Sequence, residues 1–96
     1  VFSSKADFCR ILESIWKAIE KENRSQILLI SLVDMLVNQM EMFPSFHSIC
    51  IWELYKVYAS HPALEDTIFR KLTLRFNIER LRTIFNANLL STVKLH

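Results

Sequence analysis

The chain has 96 residues, enough for one hydrophobic core but too few for two, so we expect a single domain over residues 1–96. Hydrophobic residues make up 51% and charged residues 23%, a balance that excludes a disordered segment, and the formal net charge is only +2. Glycine is absent and prolines number two, which argues against phosphate-binding glycine loops, Rossmann turns and tight β-hairpins, because these need residues at positive φ.

The first predicted helix runs from Ser4 to about Lys21. Asp7 follows Ser4 at the spacing of a capping box, with aspartate in place of glutamate. Cys9 and Trp16 border its apolar face. The residues of that face are Phe8, Ile11, Leu12, Ile15 and Ile19.

The second predicted helix begins near residue 24, with Asn23 as its cap and only a short joint after the first helix. Most of its residues are Ile, Leu, Val or Met, so we expect it to be buried on most sides. Four of its polar residues fall on one narrow stripe. They are Ser31, Asp34, Asn38 and Glu41.

Residues 43–58 predict the central helix, because both of its halves carry apolar side chains. Pro44 suits the first turn, where its missing N–H leaves no partner unpaired. Ile49 and Trp52 fall on the less apolar half. The broad apolar arc on the other half contains Phe46, Cys50, Ile51, Leu54, Tyr55, Val57 and Tyr58.

Two further helices follow. Pro62 ends the third helix, because the residue before a proline avoids the α region, and it also starts the fourth. Asn77 is the predicted cap of the fifth. The predicted inward residues are Leu64, Ile68, Phe69, Leu72 and Phe76 in the fourth helix and Ile78, Leu81, Phe85, Leu89 and Val93 in the fifth.

The sequence thus predicts an all-α fold, a compact array of about five short antiparallel helices. Two architectures fit this spacing, a helical bundle and short helix pairs of the α-solenoid kind. The pairs would begin near residues 4, 44 and 77.

Catalytic and metal-binding patterns are missing from the sequence. His47, His61 and His96 fall in different elements, without metal-ligand spacing. The close acidic pairs, of which Glu65 and Asp66 are one, do not face each other on a helix. We therefore expect no enzymatic activity, no cofactor, no bound metal and no small-molecule substrate.

The apolar segment from Ile27 to Met42 is short and interrupted by polar residues, so we expect no membrane span. Cys9 and Cys50 lie in or beside apolar faces, which predicts reduced, buried thiols in an intracellular protein, cytoplasmic or nuclear. The sequence begins at Val1 without methionine, and we expect it to be part of a longer protein.

Trp52 is the leading candidate for partner binding. Small or polar residues surround it on the third helix, and tryptophan is enriched among interface anchors. Ile49, Lys56 and Trp16 are further candidates. The function we predict is a protein–protein interaction module, a scaffold or adaptor that binds another protein or a second copy of itself. The competing interpretation is that the fourth or fifth helix packs on Trp52 within the same domain.

A nucleic-acid-binding module is the alternative function, because residues 62–96 carry a net charge of +3 and residues 1–61 a net charge of −1. Lys71 and Arg75 could instead complement the dipole at the end of the fourth helix, and Arg70 points away from Arg75 on a helical wheel. The candidate residues for binding RNA or DNA are Arg70, Arg75, Arg80 and Arg82.

Overall fold

The computed structural model describes the backbone of residues 1–94 and the side chains of residues 1–87. Within residues 1–94 the regular structure is entirely helical, which confirms the all-α prediction. A one-turn 3₁₀ helix precedes α3 at Pro44–Phe46, and another precedes α4 at Pro62–Leu64. The α-helices are α1 (Lys5–Lys21), α2 (Gln26–Met42), α3 (His47–Ser60), α4 (Glu65–Thr73) and α5 (Ile78–Lys94).

Local chemistry sets most of the helix starts, as predicted. The Ser4 hydroxyl accepts a hydrogen bond from the Asp7 N–H at 3.3 Å and caps α1. The Asn77 side-chain oxygen accepts one from the Arg80 N–H at 2.7 Å at the start of α5. Pro44 and Pro62 each open a 3₁₀ turn, where the backbone N–H that proline lacks would have had no hydrogen-bond partner within the helix.

The connection between α1 and α2 differs from the prediction, because Asn23 ends α1 instead of capping α2. Asn23 and Arg24 have φ values of 56° and 57°. The Arg24 N–H donates to the Ile19 carbonyl at 2.7 Å and the Asn23 N–H to the Glu20 carbonyl at 3.3 Å, which is a Schellman motif. The Schellman motif requires a residue in the left-handed region, and asparagine tolerates that conformation. Ser25 therefore becomes the N-cap residue of α2.

The core is built around α2 and α3. α2 packs on α3 and α4, and α3 also packs on α5, so helices distant in the chain share one apolar interior. The extents of 36 × 29 × 28 Å describe a compact globule, consistent with a helical bundle. Its largest fully buried side chains include Phe8, Ile19, Leu29, Leu32, Leu36, Met40, Phe46 and Leu64.

Several predicted inward residues are exposed, which corrects the sequence analysis. Tyr55 and Tyr58 belong to the predicted apolar arc of α3, yet α4 has only nine residues and leaves part of that arc uncovered. On α4, Ile68 points into the core, and the next residue, Phe69, is turned about 100° away to the surface. Ile11 and Ile78 are also exposed. Leu89 and Val93 lie outside the residues whose side chains are described.

Candidate interaction surface

Aromatic side chains line the outward side of α3. The Trp52 and Tyr55 rings are stacked with centroids 6.1 Å apart and an interplanar angle of 15°. The Tyr55 and Tyr58 rings follow at 6.5 Å. Trp52 is 38% exposed and Tyr55 is 54% exposed. This ridge of three rings is thus open to solvent over much of its area.

A groove runs between α3, α4 and α5 beside this ridge. Its volume is about 300 Å³. Among its described lining residues Glu65 is the only charged one, and Phe69 on α4 is 57% exposed at its edge. We call it the α3–α4 groove. Its described lining consists of Ile51, Leu54, Tyr55, Tyr58, Glu65, Ile68, Phe69, Leu72 and Phe85.

Trp16 and Lys56, two of the predicted partner-binding residues, are joined to each other through a buried carboxylate. The Trp16 indole N–H donates to Glu53 Oε2 at 2.5 Å, and Lys56 Nζ lies 3.2 Å from Glu53 Oε1. Lys56 Nζ also lies 5.0 Å from the centroid of the Trp16 ring system. Glu53 is only 7% exposed. These groups therefore fasten α1 to α3, which is an internal structural role.

Ile49, the fourth predicted candidate, is half-buried and packs against the core. Ile49 lies one turn before Trp52 on α3, and Lys56 lies one turn after Trp52. Ile49, Trp52 and Lys56 therefore share one side of the helix. The structure adds Tyr55, Tyr58 and Phe69 to the exposed apolar surface. The signal for Tyr55 and Tyr58 in the sequence is their aromatic spacing after Trp52, but the apolar-arc interpretation assigned these two residues to the core.

Two of the four candidate nucleic-acid residues, Arg75 and Arg80, make contacts within the domain. Arg75 lies beyond the end of α4 at Thr73, and its guanidinium pairs with Glu41 of α2. Lys71 pairs with Asp34 of α2 at 2.7 Å. Arg80 lies over the Phe76 ring at 5.1 Å. The other two candidates, Arg70 and Arg82, are exposed on α4 and α5.

The two cysteines occupy different environments, and neither forms a disulfide. Cys9 is exposed on α1, contrary to the prediction that both thiols are buried, while Cys50 lies in the core. Burial is the main cause that raises the pKa of the Cys50 thiol from 9.0 to about 12, and the negative charge of Glu53 adds to it.

We expect a thiol reagent at neutral pH to modify Cys9 quickly and Cys50 only as fast as the fold opens, because thiolates are the reactive species. Labelling followed by mass spectrometry, with Cys9→Ser and Cys50→Ser variants, measures the labelling rates of both thiols. Equal labelling rates in the native protein would contradict this prediction. The folded chain also holds the Cys50 proton more tightly than the unfolded chain does. The protonated Cys50 thiol therefore contributes fully to stability below pH 9.0, and this contribution is lost as the pH rises towards about 12.

In the described part of the chain, no three His, Cys, Asp or Glu residues come together where they could hold a metal ion. His47 Nε2 lies 3.0 Å from the Met40 carbonyl, a local contact. Every helix over residues 1–94 is too short or too polar to cross a membrane. No protein-family model, curated protein or solved structure matches the chain significantly.

Proposed function

We propose that the chain is a non-enzymatic protein–protein interaction module that binds its partner through the aromatic ridge of α3 and the α3–α4 groove. The observation that carries the proposal is the exposure of four aromatic rings, of which three line one apolar groove. Tyr55, Tyr58 and Phe69 line the groove, and Trp52 stacks on Tyr55 beside it. Interface cores are enriched in aromatic residues and depleted of charge, which is also the character of this surface.

A protein partner fits this surface better than a nucleic acid does. Exposed aromatic rings can stack on bases, but binding a single strand also requires a positively charged groove along the phosphates. The charged residue in the described lining of the groove is Glu65, which would repel a phosphate. Among the basic residues of α4 and the turn after it, Lys71 and Arg75 pair with acidic residues of α2, away from the groove, and Arg70 is exposed beside Phe69.

The experiment compares single alanine variants at the groove with a matched variant elsewhere. Tyr55→Ala and Phe69→Ala should each weaken self-association, or binding of an identified partner, by about 2 kcal/mol, roughly 30-fold. Ile27 is also a large apolar residue and is even more exposed, at 76%, but it lies at the start of α2, outside the groove, so Ile27→Ala should leave binding unchanged. Sedimentation over a range of concentrations measures self-association, and titration calorimetry measures a foreign partner.

Two outcomes would reject the proposal. The first is that the groove variants and Ile27→Ala bind alike. The second is that generic RNA or duplex DNA binds in a fluorescence anisotropy assay with an affinity that falls steeply with salt and depends on Arg70 and Arg82. That second result would support the nucleic-acid alternative.

A further inference from the structure

Gln39 has a buried side-chain amide, and both of its polar groups are hydrogen-bonded to the backbone of a single residue. Gln39 lies on α2 and is 1% exposed. Its Oε1 accepts a hydrogen bond from the Phe2 N–H at 2.9 Å. Its Nε2 donates one to the Phe2 carbonyl at 2.6 Å. The carboxamide therefore hydrogen-bonds both the backbone N–H and the carbonyl of one residue, as a neighbouring β-strand would do.

The segment that fills this position belongs to no helix. α1 begins at Lys5, so Phe2 reaches Gln39 as irregular chain. A buried amide that lost both partners would carry a large desolvation penalty, so the position must be filled by a group with one donor and one acceptor at this spacing. The backbone N–H and carbonyl of any one non-proline residue meet this requirement, whatever its side chain is.

Selectivity for the side chain comes from a row of phenylalanine rings next to the amide. The Phe2 ring lies 5.5 Å from the Phe8 ring. Phe8 meets Phe46 edge to face at 5.3 Å, and Phe46 lies 5.8 Å from Phe43. An aromatic side chain at the position of Phe2 extends this row, with the tilted and edge-to-face geometries that aromatic pairs favour.

We propose that Gln39 and the adjoining phenylalanine rings form a peptide-binding slot that recognises a phenylalanine in a non-helical segment and is filled in cis by residues 1–4. The hydrogen bonds of Gln39 select the backbone, and the rings select the side chain. The slot lies between α1, α2 and the 3₁₀ turn before α3. It is separate from the α3–α4 groove and does not depend on the function proposed for that groove.

The test weakens the cis segment in the full chain and supplies the same chemistry in trans. Phe2→Pro removes the ring and also the N–H that Gln39 accepts, and it lies outside all described helices. The probe is an acetylated, amidated Val-Phe-Ser-Ser peptide. We expect it to bind Phe2→Pro at least about tenfold more tightly than the unmodified chain, where the tethered segment competes. Shifts of the Gln39 side-chain amide resonances in NMR report the binding.

Two controls make the outcome decisive. A Val-Ala-Ser-Ser peptide should bind at least about tenfold more weakly, because it lacks the ring. Adding Gln39→Met to Phe2→Pro keeps the side-chain volume but removes both hydrogen-bonding groups, and it should abolish binding. Because this variant lacks the Gln39 side-chain amide, its binding is followed through the backbone amide resonances of Phe8 and Phe46, whose rings line the slot.

Equal binding of the two peptides would overturn the proposal. So would shifts centred on Tyr55 and Phe69, or no shifts at all. If the Gln39→Met chain does not fold, the peptide comparison still decides the question.

Discussion

Replacing Leu54 by alanine should lower the free energy of unfolding by about 2–5 kcal/mol, and Trp52→Ala should lower it by clearly less. Leu54 is 3% exposed and lies in the core, so its removal leaves a cavity that the rigid neighbours fill only in part. Trp52 lies on the outer side of α3 with 38% of its surface exposed, and water can occupy much of the space that its removal leaves. Denaturant unfolding of both variants at low protein concentration measures the difference.

The same pair of variants separates two uses of α3. If Trp52 anchors a partner, Trp52→Ala weakens association by about 2 kcal/mol or more while most of the stability remains. If Trp52 is mainly a packing residue of this domain, the two variants lose similar stability and association does not change. That second result would reject Trp52 as an anchor, although the groove at Phe69 could still bind a partner.

The helix boundaries that the sequence predicted correctly depend on short-range chemistry. Ser4 and Asn77 cap helices with their own side chains, and Pro44 and Pro62 start turns because their rings fix φ. These effects act within about four residues, so the sequence alone contains the needed information. Asn23 shows the limit of this approach, because asparagine suits both an N-cap and the left-handed end of a helix.

The surface was harder to predict, because exposure depends on the neighbouring helices. The spacing of Tyr55 and Phe69 is that of inward residues, but the short α4 does not cover Tyr55, and Phe69 lies on the outer side of α4 itself. Contacts between distant parts of the chain were also missed. Trp16 meets Glu53, and Phe2 meets Gln39, each across 37 residues. The two buried partners are Glu53 and Gln39. For both, the available signal in the sequence was a polar residue on a mostly apolar helix.

Removing the Glu53 carboxylate should cost about 3 kcal/mol of stability, because the half-buried Trp16 indole and Lys56 then lose their common partner. Glu53→Gln keeps an oxygen that can accept from the indole, so it should cost less than Glu53→Ala. Glu13→Ala is the matched control. It removes an exposed pair with Lys17 at 3.8 Å and should change stability by less than about 0.5 kcal/mol.

A double-mutant cycle isolates the contact that fastens α1 to α3. Trp16→Phe keeps an aromatic ring and removes the N–H, so after Glu53→Ala it should cost much less than it does alone. We expect a coupling free energy of about 1.5–3 kcal/mol, the range for a hydrogen bond to a charged group. If the single effects simply add, the indole and the carboxylate do not stabilise each other. α1 would then be held to α3 by apolar packing alone. The ion pair with Lys56 would be the interaction that allows Glu53 to be buried.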